Sequence, residues 1–174
     1  MKICISLAIT LFVLINNSFA QQNDTWENWS WLIGEWKGEG KGQPGQGGGA
    51  FSFYSELDNK VIVRKSHSEY PALDNKPAVI HDDLMIVYPD FSGIPSKAIY
   101  FDNEGHIIDY SLTYPDSAIV FTSNRIADIP VFRLTYELLE EGKVNTKFEM
   151  SQDGEKFTTY IEGISIKRIC PGIE

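Results

Sequence analysis

Ten short runs rich in Val, Ile, Phe, Tyr and Thr, separated by turn residues at spacings near ten, set the limits on what this chain can fold into. They fall at residues 34–41, 50–57, 60–70, 82–88, 96–101, 106–114, 118–123, 131–139, 144–150 and 157–168. The connections Asp58-Asn59, Pro115-Asp116, Glu140-Glu141-Gly142 and Gln152-Asp153-Gly154 contain residues that tolerate tight or left-handed backbone. Short turns make neighbours in sequence into neighbours in space. An open sheet of ten twisted strands leaves two bare edges, whereas a meander of this length can close on itself. The expectation is all-β: a single antiparallel up-and-down barrel, with 24–33 as a short N-terminal helix that carries Trp26, Trp29 and Ile33 at helix-like spacing.

Ahead of the strands, Lys2, the apolar run from Ile3 to Ile15 and the small residues Ser18 and Ala20 form the pattern of a secretory signal, with cleavage expected near Ala20. Asn16 and Asn17 interrupt the apolar run before the roughly 20 residues that a membrane span needs. The reading is therefore a signal peptide at 1–20 and one barrel domain at 21–174, secreted or periplasmic, with no stable membrane anchor. A formal net charge of −9 repels phosphate, so nucleic acid is not an expected partner. With Cys4 in the signal, Cys170 has no intramolecular mate and no internal disulfide framework exists.

The string Gly40-Lys41-Gly42-Gln43-Pro44-Gly45 matches a dinucleotide fingerprint in letters only. That fingerprint ends a strand and opens a helix, and here Pro44 and Gly47 to Gly49 lead into another strand. The segment reads as a glycine-rich loop at the barrel mouth. The run 60–70 is more informative: after Val61-Ile62-Val63, alternation puts Lys65, His67 and Glu69 on one face and Arg64, Ser66, Ser68 and Tyr70 on the other. Both sets are polar, so one of them is expected to line a cavity that is apolar at one end and polar at the other. His81-Asp82-Asp83 adds a second imidazole beside carboxylates, but no His-x-His or H-E-x-x-H spacing supports a metal.

Trp31-Leu32-Ile33-Gly34-Glu35-Trp36-Lys37-Gly38, followed by a glycine-rich loop and the Phe51-Ser52-Phe53 strand, resembles the opening of calycin or lipocalin-like barrels, among them secreted bacterial domains and, more distantly, nitrobindins. The resemblance implies a ten-strand barrel around a cavity. It gives Gly34 and Trp36 a structural role, with the indole packed by a basic side chain of the last strand, Lys167 or, as assigned here, Arg168. For nitrobindins it implies haem held by a histidine on the last strand. Residues 157–168 contain no histidine and leave Tyr160 as the iron-ligand candidate, so no cofactor is assigned and a haem-binding, nitrobindin-like barrel stands as a third class behind the two that follow.

The leading expectation is a binding protein for a small hydrophobic or amphipathic ligand, with Arg64, His67, Tyr100, Tyr110 and Arg133 as the polar contacts. The competing class is a small enzyme using His67 or His81 with Glu69, Asp82 or Asp83 as an acid-base pair. The two differ in where they need the histidines: a catalytic imidazole belongs inside the barrel.

Overall fold

The computed structural model describes residues 25–40, 49–72 and 77–168. The signal segment, both cysteines and the centre of the glycine-rich loop lie outside them. Ten strands follow one another around a closed antiparallel barrel: β1 (Gly34–Gly38), β2 (Ala50–Glu56), β3 (Val61–Tyr70), β4 (Val79–Pro89), β5 (Pro95–Asp102), β6 (Ile107–Thr113), β7 (Ala118–Ser123), β8 (Val131–Glu140), β9 (Lys143–Ser151) and β10 (Thr158–Lys167). Every pairing joins sequence neighbours except the seam, where Trp36 meets Lys167 and Gly38 meets Ser165. The Asp58-Asn59 turn uses the left-handed conformation its residues tolerate, with φ of 52° and 61°.

Two expectations about the elements change. The N-terminal segment forms a single 3-10 turn, Glu27–Trp29, instead of a helix over 24–33. Its N-cap is Trp26, which supplies no side-chain cap, and Ser30 Oγ bonds back to the Glu27 carbonyl at 3.1 Å, as a serine does where the helix stops. Strand β4 starts at Val79, three residues before the expected 82, because His81, Ile80 and Val79 pair with Ser68, Glu69 and Tyr70. The long tail of β3 needs a partner for its backbone groups, and that need overrides the polar local sequence.

Alternation gives each strand an inner and an outer side, and the closed end of the barrel is packed solid. Trp29, Trp36, Phe53, Phe121, Tyr136, Ile62, Met85, Val87 and Ile119 are fully buried there. Rings meet tilted or edge to face: Trp29 lies 5.8 Å from Phe53, tilted, and 6.0 Å from Phe121, edge-on, and Phe53 lies 5.2 Å edge-on from Tyr136 between ring centroids. The 3-10 turn is the plug. Its indoles are tied to the walls through Trp26 Nε1–H to the Asn59 carbonyl at 2.8 Å and Trp29 Nε1–H to the Tyr114 hydroxyl at 3.1 Å.

The Gly-x-Trp pair closes the seam. Trp36 Nε1–H donates to the Leu32 carbonyl at 2.8 Å, and its ring faces Lys167 Nζ at 5.3 Å. Lys167 Nζ also donates to the Trp31 carbonyl at 3.1 Å. This corrects the expectation for Arg168, which turns outward to Glu35 at 3.8 Å. Gly34 is required by the crossing: its φ is +122°, and a Cβ there would sit 3.1 Å from Lys167 Cε.

Candidate functional site

Above the packed floor the barrel opens into a cavity of about 1190 Å³. Its two opposite walls differ in chemistry. Strands β3, β4 and β5 contribute Arg64, Ser66, Ser68, Tyr70, His81, Asp83, Tyr100 and Asp102, joined at the rim by Glu104 and His106. Strands β8, β9 and β10 contribute mainly Phe132, Leu134, Phe148, Met150, Tyr160 and Ile161, with Thr146, Gly163 and Ser165 beside them. In a ten-strand ring, β3 to β5 stand across from β8 to β10. The cavity is thus amphipathic across its width, and not only from floor to mouth as the alternation along β3 alone suggests.

The floor of the polar wall is the ion pair between Arg64 and Asp83, with both side chains almost fully buried. Burial alone would lower the arginine pKa, yet Asp83 and the surrounding tyrosine oxygens raise it above its ordinary value, so the guanidinium is permanently charged. Its Cζ lies 5.9 Å from the ring centroids of both Phe51 and Tyr136. Arg64 Nε, Tyr136 Oη and Thr146 Oγ1 are buried and make no well-formed hydrogen bond among the described residues, although the Tyr136 hydroxyl is close enough to the guanidinium to interact with it. Buried polar groups are usually satisfied, so these atoms near the floor have bonding capacity that a bound molecule or water can use.

Higher on the same wall, His81 Nε2 lies 3.1 Å from the Tyr100 hydroxyl and 3.7 Å from Asp83 Oδ2, while Nδ1 lies 3.1 Å from Glu104. Tyr100 Oη is also 3.3 Å from Asp102 Oδ2, and that oxygen is 2.8 Å from His106 Nδ1. A neutral His81 carrying its proton on Nδ1 donates to Glu104 and accepts from Tyr100; a doubly protonated ring donates to both, and Tyr100 then donates to Asp102. Burial, with Asp83 and Asp102 nearby, pushes the Tyr100 phenol up, and burial does the same to Tyr110. Both phenols stay protonated and remain donors. Burial opposes ionisation of Asp102, but the backbone N–H and ring of His106 and the N–H of Glu104 outweigh it and hold the carboxyl below its ordinary value.

Of the sequence-predicted contacts, Arg64, Tyr100 and Tyr110 line the cavity together with His81 and Asp83. His67, Glu69 and Asp82 are on the outer surface, where His67 is bracketed by Asp82 at 2.6 Å and Glu69 at 3.1 Å and its side chain is 51% exposed. The two carboxylates raise the His67 pKa by hydrogen bonding. That imidazole faces solvent, so an acid-base pair of His67 with Glu69 or Asp82 has no enclosed substrate to act on. Arg133 also points outward: Nε–H donates to Glu149 at 2.7 Å and the guanidinium stacks 3.8 Å over Phe157, a structural clasp outside the cavity.

The sequence reading missed Asp102, Glu104 and the aromatic ledge in which Phe132 stacks on Phe148 at 5.8 Å and Tyr160 meets Phe148 edge-on at 6.3 Å. The first could have been found by extending the alternation Ala98, Tyr100 by one more step. No group of three or more histidine, cysteine or acidic side chains poised to hold a metal occurs among the described residues. Nor do the residues fit a haem held from the last strand: β10 has no histidine, and its Tyr160 is exposed at the mouth. The two cavity histidines belong to the other wall and already engage Glu104 and Asp102 through Nδ1.

Fold and site together define a closed antiparallel β-barrel with a two-sided cavity. Among solved structures, the chain is similar to the crystal structure of Rv2717c from M. tuberculosis, with a TM-score of 0.54 at 9% identity over 83% of this chain and 98% of that one. At that identity the likeness concerns the barrel alone. No family model matches the sequence, and no curated protein does.

Proposed function

We propose that the protein binds a small amphipathic molecule non-covalently in the open half of its barrel, acting outside the cytoplasm after removal of residues 1–20. The observation that carries this reading is the lateral division of the cavity, with hydrogen-bonding groups on β3 to β5 facing an aromatic and aliphatic wall on β8 to β10. A filled interior would show the same side chains interdigitated, as they are at the closed end. Burial of the ligand's apolar side supplies roughly 25 cal/mol per Å² before ordering costs are subtracted. The opposite wall fixes its orientation, and the polar groups near the floor offer it their unused bonding capacity.

The test uses N-phenyl-1-naphthylamine, a neutral apolar fluorophore. It is expected to bind with 1:1 stoichiometry and to be excluded by Thr146→Trp, which fills the cavity beside the ledge. Equal binding to the variant and the parent, with both folded by circular dichroism, rules the cavity out as the binding site.

A further inference from the structure

The charges around the cavity are unequal. Arg64 is the one lysine or arginine among the described residues lining it, against the carboxylates Asp83, Asp102, Glu104 and, at the rim, Asp109. Asp83 is already committed to Arg64 in the buried pair. Asp102 and Glu104 bond to His106 and His81, and Asp109 is exposed at the rim, so three carboxylates have no lysine or arginine partner among the described residues, on a concave surface where low-dielectric walls concentrate their field into the cavity. Aromatic faces accompany them: Tyr100 and Tyr110 meet edge to face at 6.4 Å on this side, and the Phe132–Phe148 stack forms the far side. Carboxylates beside aromatic rings are the surroundings in which an organic ammonium is favoured, by charge and by the ring quadrupole.

A second observation concerns the inner end. Arg64 is 7% exposed, lines the cavity and has no acceptor for its Nε among the described residues. Because Asp83 neutralises it, this group calls for a neutral oxygen acceptor and offers little to a carboxylate, which would also meet the other three acids.

We infer that the ligand is a cationic amphiphile: an organic amine or quaternary ammonium whose charged nitrogen lies among Asp102, Glu104 and Asp109, whose apolar side rests on the ledge of β8 and β9, and whose inner end accepts from Arg64. The inference rests on the binding function proposed above and specifies its ligand.

Three probes with the same chain separate the two claims: decylamine, decanol and decanoate, each titrated calorimetrically into the full mature chain at neutral pH and low salt. Decylamine is expected to bind at least about tenfold more tightly than decanoate, with decanol between them. The double variant Glu104→Gln/Asp109→Asn should lose at least about fivefold for decylamine while keeping the affinity for decanol. Glu56→Gln, an exposed acid at the closed end, controls for attraction by the acidic surface and should change nothing. Decanol and decanoate binding as well as decylamine overturns the cationic assignment and leaves the binding function standing. Failure of all three to bind overturns both. An equal effect of Glu56→Gln and the double variant assigns the amine to the outer surface and also overturns the inference.

Discussion

The two ends of this barrel are built from the same ten strands and have opposite interiors. On β3, Ile62 is fully buried in the core, and four residues later Ser66 faces open space. On β5, Ala98 packs against the core, and four residues later Asp102 holds a histidine. The closed end spends its side chains on filling volume. The open end leaves volume unfilled and places ionisable groups along one wall of it. A strand in such a barrel is thus two segments with different tasks, and the Arg64–Asp83 pair marks their boundary.

The comparison can be broken most directly by truncating one large side chain at each end. Trp36→Ala removes a fully buried indole together with its bond to Leu32 and should cost about 3–5 kcal/mol in urea unfolding. Ile161→Ala, at the cavity wall, removes a side chain with open space on one side and should cost about 1 kcal/mol or less. Similar losses at the two sites would mean that the open end is packed like the closed one.

At the boundary, Asp83→Ala leaves Arg64 buried with no counter-charge and should cost about 3 kcal/mol. Replacing both residues by leucine should recover most of that stability while removing the polar floor. A double variant as unstable as the single one would show that the pair itself, and not the stranded charge, sets the cost.

The smallest effect is the response to acid. Asp102 is held below its ordinary 3.8, and Glu149, bonded by Arg133, below its ordinary 4.5. Both folded values are depressed, so the stabilisation is complete above the ordinary values and is lost as the pH falls through the lower folded ones. Both groups lie in the open half. Hydrogen exchange below about pH 4.5 should therefore show amides of β5, β8 and β9 near the mouth losing protection before those around Trp36. The reverse order would contradict the assignment of acid sensitivity to the open end.

How much of this was legible in the sequence follows the same division. The strands were readable because β-branched runs and turn residues are local signals, and nine of the ten pairings join neighbours. The closed end was readable because Gly34 and Trp36 form a compact motif, although the choice between Lys167 and Arg168 depended on which side of β10 faces inward. On β3, the separation of Arg64 from His67 was legible and the inward set was not. Both sets are polar, and a one-residue parity is decided by the curvature of the closed sheet. The division into two walls was hidden for another reason: it is a property of β3 to β5 taken against β8 to β10, segments tens of residues apart that face each other only once the ring is closed.

The seam between β1 and β10 has a consequence for when this protein can work. Ribosomal synthesis delivers β1 first of the ten strands and β10 last, so the clasp of Trp36 and Lys167 waits for all the strands between them. Strand β10 also carries Tyr160, Ile161, Gly163 and Ser165, the final panel of the cavity lining. Closing the barrel and completing the cavity wall are therefore the same event: a chain without β10 has neither the clasp nor the wall.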